Sequence, residues 1–92
     1  MEVRNLVQMF SIRFQRPVVL TRHARMRMAE RIVSETELLS IIDEGQTRYS
    51  DKHRLWAWRL VPGRPDNLIC AVLVLEDAVV VKTVMQHWEL ME

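Results

Sequence analysis

The sequence has little of what interrupts or cross-links a chain. Only two glycines, three prolines and one cysteine occur among 92 residues, while 49% of the residues are hydrophobic and 27% are charged. This composition excludes a disordered or low-complexity chain. Its length is that of a single domain with one core, so we treat residues 1–92 as one domain.

Further absences narrow the class of protein. Cys70 has no second cysteine to pair with, and its apolar neighbours predict a buried, inert thiol. The longest purely apolar run, 68–75, is far shorter than the roughly 20 residues of a membrane-spanning helix. A secretory signal is not predicted, because Arg13 and Arg16 interrupt the N-terminal apolar stretch. These absences predict a cytoplasmic protein that does not contact a membrane.

Charge is small in total and uneven along the chain. The net charge is +1, yet residues 1–64 carry 12 Lys or Arg against 7 Asp or Glu, and residues 65–92 carry 1 against 5. Eleven of the 13 basic residues are arginines, whose planar donor groups suit phosphate and carboxylate. The asymmetry fits an anionic partner for the first two-thirds, and an ordinary arginine-rich surface is the alternative.

A short strand and a helix are predicted in the first third. The β-branched run 18–20 predicts the strand. Thr21 suits the N-cap of a helix over 22–31, a stretch without glycine, proline or a β-branched residue. Ala24 and Met28 lie one turn apart on that helix and should face the core.

A second helix has the clearest boundaries in the sequence. Ser34 and Glu37 have the spacing of a capping box, and Gly45 is suited to end the helix. The apolar residues between them should form its buried face: Leu38, Leu39, Ile41 and Ile42.

After the second helix the pattern is that of strands. Residues 55–61 alternate, 68–75 are apolar throughout, and 79–85 have the pattern of a third strong strand. Turn signals occur at 50–53, 62–67 and 76–77. Because short turns join antiparallel neighbours, the sequence predicts an α+β fold in which two N-terminal helices pack on a three- to four-stranded antiparallel sheet.

The first helix contains the sharpest candidate site. His23, Arg27 and Arg31 are spaced by four residues and form one polar stripe. A histidine can transfer protons near neutral pH, and arginines can hold a phosphate and stabilise its developing charge. The combination suits cleavage of RNA, with these three as catalytic residues. The alternative is architectural, with the arginines paired to carboxylates such as Glu30.

Three more basic residues are candidate substrate contacts. Arg59 and Lys82 fall on predicted strands among apolar neighbours, and His53 falls in a predicted turn, where a solvated surface is the alternative. No metal site is predicted, because the histidines lack the spacing of zinc ligands. Trp56 and Trp58 share a strand face and could stack bases, but core packing is the commoner role for such residues.

The candidate stripe belongs to a longer run of residues. That run consists of His23-Ala24, Arg27-Met28, Arg31 and Val33-Ser34. It resembles the bacterial domain-of-unknown-function family DUF4258, whose members carry His-Ala-x-x-Arg-Met-x-x-Arg-x-Ile-Ser near the start. The resemblance covers a core of about residues 17–85 and leaves an N-terminal extension, 1–16, and a tail, 86–92. Ile32 departs from the family, which usually has glycine there.

That family is similar in turn to RelE/ParE-type toxins and to the barnase–colicin–RelE ribonuclease fold. The resemblance implies RNA cleavage without a metal or another cofactor, a proteic antitoxin as partner, and His23, Arg27 and Arg31 as the active positions. ParE-like members are not ribonucleases, so the fold does not settle the activity. Two hypotheses follow: a toxin-like ribonuclease, and a non-catalytic module of the same fold that binds protein or nucleic acid.

Overall fold

The computed structural model describes residues 9–60 and 68–86, which form two helices and six strands. The helices are α1 (Arg22–Arg31) and α2 (Glu35–Glu44). The strands are β1 (Phe10–Ser11), β2 (Arg16–Leu20), β3 (Gln46–Tyr49), β4 (Arg54–Leu60), β5 (Leu68–Leu75) and β6 (Val79–Gln86). These strands form one sheet in the order β1-β2-β6-β5-β4-β3. The predicted turn at 62–67 lies outside the described residues, as does the tail from residue 87.

The predicted fold class is wrong in the number, order and direction of the strands. The sheet has six strands, two of which precede the helices. It is mixed, because β2 runs parallel to β6, with Val18 beside Val79 and Leu20 beside Val81. The RelE/ParE-like arrangement of helices first and an antiparallel sheet second is therefore not the observed one. Local patterns missed the parallel pair because its two strands come from opposite ends of the sequence.

The core lies between the helices and one face of the sheet. Helix α1 packs on β6 and β2, and α2 packs on β4, β5 and β1. The fully buried residues of α2 are Leu38, Ile41 and Ile42, and those of the sheet include Leu55, Ala57, Ile69, Ala71, Leu73, Val79, Val81 and Val84. Each large side chain buried there stabilises the fold by roughly 1.5–3 kcal/mol. The opposite face, which we call the second face, is packed on neither helix.

Both predicted boundaries of α2 are confirmed. The Ser34 hydroxyl accepts a hydrogen bond from the Glu37 amide, and the Glu37 carboxylate accepts one from the Ser34 amide, each at 3.0 Å. The Gly45 amide donates to the Ile41 carbonyl at 2.9 Å. A Cβ atom on Gly45 would lie 2.5 Å from that oxygen and 2.6 Å from the Trp58 carbonyl oxygen. Only glycine therefore fits where the helix passes into β3.

Helix α1 ends at a left-handed residue, Ile32, with φ 53° and ψ 53°. The Ile32 amide donates to the Ala29 carbonyl at 3.3 Å, and the Val33 amide donates to the Met28 carbonyl at 2.9 Å. Together with the burial of Met28 and Val33, these bonds make a Schellman motif. A β-branched residue is strained in this conformation, at a cost of roughly 1–2 kcal/mol.

We expect Ile32→Gly to raise the free energy of unfolding by about 1 kcal/mol, because glycine relieves the strain at this position. Little packing is lost, since Ile32 is 80% exposed. Urea unfolding measures the change. The matched control is Ile12→Gly at another exposed isoleucine without a positive φ, where glycine should destabilise the protein. Equal destabilisation by the two substitutions would contradict the prediction.

Asp43, near the end of α2, forms hydrogen bonds with the end of β1 and with the residues that follow it. The Asp43 carboxylate accepts hydrogen bonds from the Ser11 hydroxyl at 2.6 Å and from the amides of Ile12 and Arg13 at 3.2 and 3.4 Å. The Arg13 guanidinium donates to the Ile42 carbonyl at 3.2 Å, which satisfies one acceptor at the helix end. Because Ser11 is fully buried, its hydroxyl needs such a partner.

We expect Asp43→Ala to lower the free energy of unfolding by about 2 kcal/mol, because several donors lose a charged acceptor. The neighbouring substitution Glu44→Ala is the control. It removes only an ion pair with Arg59 at 2.8 Å. Such an exposed pair contributes about 0–1 kcal/mol. Equal losses in urea unfolding would show that the bonds of Asp43 do not hold the N-terminal segment.

Candidate functional site

The start of α1 is fixed against β6 by its N-cap. The Thr21 hydroxyl accepts a hydrogen bond from the Ala24 amide at 3.0 Å and donates one to the Lys82 carbonyl at 3.1 Å. The Thr21 amide donates to the Val81 carbonyl at 3.2 Å. Thr21 is therefore the predicted N-cap, and it also connects the helix to the sheet.

The His23, Arg27 and Arg31 stripe runs along an accessible side of α1. As predicted, Ala24 and Met28 beside it are buried. His23 is exposed, and its ring forms no hydrogen bond with another residue in 9–60 or 68–86. A free, accessible imidazole is what a proton-transferring group needs before substrate binds.

The two arginines of the stripe share one carboxylate. Glu30 lies 2.6 Å from Arg27 and 3.5 Å from Arg31. Their side chains keep 39% and 28% of their surface exposed. The pairs are thus neither buried nor fully open, and a phosphate would compete with Glu30 for the guanidinium groups. The stripe is a ridge that spans two helical turns, roughly 12 Å along the axis.

Lys82 is brought next to the start of α1. It is the extra residue of a bulge in β6, because Val72 and Leu73 of β5 pair with Thr83 and Val81. Its side chain is exposed, while its carbonyl holds Thr21 two residues before His23. The structure therefore brings the backbone of Lys82 to within two residues of His23, although the two candidates are far apart in the sequence.

Arg59 and His53 lie apart from the stripe. Arg59 pairs with Glu44 at the end of α2. His53 is exposed in the β3–β4 turn, and its carbonyl accepts a hydrogen bond from the Leu75 amide at 2.6 Å. Because β5 separates β4 from β6, neither residue adjoins the start of α1. The roles of Arg59 and His53 as substrate contacts remain predictions.

The turn that carries His53 is organised by Asp51. The Asp51 carboxylate accepts hydrogen bonds from the amides of His53 and Arg54, both at 2.8 Å. These bonds lower the pKa of Asp51, because they favour its charged form. A shallow cleft at this turn is lined by residues 51–54 and by Val74.

The described residues give little support to two other kinds of site, a thiolate nucleophile and a metal centre. Burial raises the pKa of the Cys70 thiol to about 12, so it is not a thiolate nucleophile at neutral pH. Within residues 9–60 and 68–86, no three His, Cys, Asp or Glu side chains are grouped as metal ligands would be. Neither α1 nor α2 is long and apolar enough to cross a membrane.

Sequence reasoning missed two arginines on the second face. Arg48 lies directly across from Trp56 in the β3–β4 pair, and Arg54 lies two residues before Trp56 on the same strand. The alternation in β4 could have placed Arg54 beside Trp56. The position of Arg48 required the register between the strands, which no local pattern reveals.

The sequence matches the family described as a domain of unknown function (DUF4258) over residues 20–86. The chain belongs to this family, as its helix motif predicted. No curated protein and no solved structure matches it. The family match begins at the last residue of β2, so β1 and most of β2 precede it.

Proposed function

We propose that this protein is a toxin-like ribonuclease that cleaves RNA without a metal ion, with His23 as the proton-transferring group. The observation that carries the proposal is the setting of His23. Its exposed ring stands in the first turn of α1 with no hydrogen bond to another described residue, and Arg27 follows one turn later. A proteic antitoxin, which the resemblance implies, belongs to the same proposal.

The reaction uses the RNA's own nucleophile. His23 takes the proton of a ribose 2′-hydroxyl, and the 2′ oxygen forms a bond to the adjacent phosphorus. The bond from phosphorus to the 5′ oxygen breaks, and that oxygen takes a proton from water. The products are a 2′,3′-cyclic phosphate and a 5′-hydroxyl. Arg27 and Arg31 stabilise the charge on the non-bridging oxygens, once the phosphate displaces Glu30.

The charge around the start of α1 supports an anionic substrate. Arg22 and Arg25 are exposed in the first turns, and the exposed Lys82 lies beside the N-cap. The helix dipole adds partial positive charge at the same end. These features attract phosphate, and they support binding more directly than they support cleavage.

The test is incubation of mixed RNA with purified protein in EDTA. We expect the parent protein to cleave and His23→Ala to reduce the rate on the order of 10²–10⁴-fold, the usual contribution of a general acid or base. Met26→Ala is the matched control, because Met26 is exposed on the same helix outside the stripe. Thermal unfolding of each variant verifies its folding.

Two results would contradict the ribonuclease. One is an intact RNA after incubation with the parent protein. The other is cleavage by His23→Ala at the parent rate, which would show that the activity comes from another residue or from a contaminant.

A second candidate is the non-catalytic binding module, and the shared Glu30 favours it. If the motif is architectural, Arg31→Ala should lower the melting temperature by a few degrees, because Arg31 is the less exposed of the two paired arginines. His23→Ala and the control Arg25→Ala should then melt like the parent. An Arg31→Ala variant as stable as the parent would remove this interpretation.

A further inference from the structure

The second face of the sheet carries an aligned row of residues across four strands. Arg48 of β3 pairs with Trp56 of β4, Trp56 pairs with Val72 of β5, and Val72 pairs with Thr83 of β6. Because successive residues of a strand alternate between faces, directly paired residues share one face. Arg54 lies on this face as well, two residues before Trp56.

Among the described residues, no strand places an acidic side chain on this face. None of the six strands contains Asp or Glu. The acidic residues of the described ranges lie on the helices, at the end of α2 and in the turns: Glu30, Glu35, Glu37, Asp43, Glu44, Asp51, Glu76 and Asp77. A face with arginines and without carboxylates complements a polyanion.

The two arginines lie on adjacent sides of the aromatic group, Arg48 across from it on β3 and Arg54 along β4. Trp56 is half-buried, while Arg48 and Arg54 are exposed. Neither guanidinium has an ion-pair partner among residues 9–60 and 68–86. Farther along the same face, Trp58 and Cys70 are already buried. Beyond Trp56 and Arg54 the same face continues into partly exposed valines that pair across β5, β6 and β2: Val72, Val74, Val80 and Val19. The open part is therefore an aromatic and aliphatic surface with two arginines beside its aromatic residue.

We propose that the second face binds a single-stranded nucleic acid, with one base stacked on Trp56 and the flanking phosphates on Arg48 and Arg54. Aromatic side chains beside basic groups bind single strands in this way, because every base has a face that can stack. The proposal names how the substrate of the proposed ribonuclease is held. Its biological meaning rests on that function, but the binding is measurable without cleavage.

The row also defines a path for the bound nucleic acid across the sheet. It spans three strand spacings from Arg48 to Thr83, roughly 14 Å. Thr83 follows the bulge residue Lys82, whose carbonyl holds the N-cap of α1. A nucleic acid that follows the row from β3 to β6 thus approaches the end of α1 that carries His23. The opposite direction leads to β3, at the far edge of the sheet.

The test measures binding in the full-length His23→Ala protein, so that the RNA stays intact. The probe is a short fluorescent oligouridylate, followed by anisotropy, with the oligodeoxyuridylate alongside to tell RNA from DNA. We expect Trp56→Leu to weaken binding roughly tenfold or more, and Trp56→Phe to retain most of it. Tyr49→Ala is the control, because Tyr49 is an exposed aromatic on the other face of the same hairpin.

A second variant tests the phosphate contacts. Arg48→Ala should reduce the slope of log K against log salt by roughly 0.7, the value for one phosphate contact in a single strand. This measurement decides the matter if Trp56→Leu does not fold. An unchanged slope would then overturn the proposal.

Other outcomes also overturn it. They are an unchanged affinity of a folded Trp56→Leu protein, an equal loss in Tyr49→Ala, and binding of an RNA duplex as tightly as of the single strand. Failure of the proposed ribonuclease function would give a different experimental result. In that case the protein with His23 intact binds the oligouridylate through Trp56 and leaves it uncut.

Discussion

The parallel pairing of β2 with β6 is the constraint on which the rest of the structure depends. It places β2, near the start of the described chain, beside the last strand. After β2 the chain therefore passes through both helices before it reaches β3 at the far edge of the sheet. Thr21 directly follows β2 and bonds to the β6 backbone at Val81 and at the bulge residue Lys82. The position of α1, and of every residue on it, follows from where β2 ends.

The C-terminal end of α2 is the second point at which distant segments meet. Asp43 binds the segment after β1, Glu44 pairs with β4, and Gly45 passes against the backbone of Trp58. Three consecutive residues thus join the helix to the β1 edge of the described sheet and to β4, the strand next to the other edge. The N-terminal residues that precede the family match are part of this arrangement, because Ser11 is buried there against Asp43.

Two surfaces of the protein combine cations with groups that suit nucleic acid. One is the ridge on α1, where His23 is accessible and Glu30 partly neutralises the arginines. The other is the second face, where Arg48 and Arg54 adjoin Trp56 and none of the six described strands contains Asp or Glu. The bulge at Lys82 lies between them, since it belongs to β6 and holds the N-cap of α1. In the two proposals, the ridge supplies groups for chemistry, whereas the second face supplies area and charge for binding.

Features set by neighbouring residues could be predicted from the sequence. The N-cap at Thr21, the capping box of Ser34 with Glu37, the buried side of α1 and the motif of the family all depend on spacings of three or four residues along a helix. Only the tertiary structure decided the parallel strand pair, the bulge that places Lys82 beside α1, and the register that sets Arg48 against Trp56. Their physical reason is common: each depends on contacts between strands or elements separated in the chain, and side-chain periodicity specifies a face without specifying the partner across it.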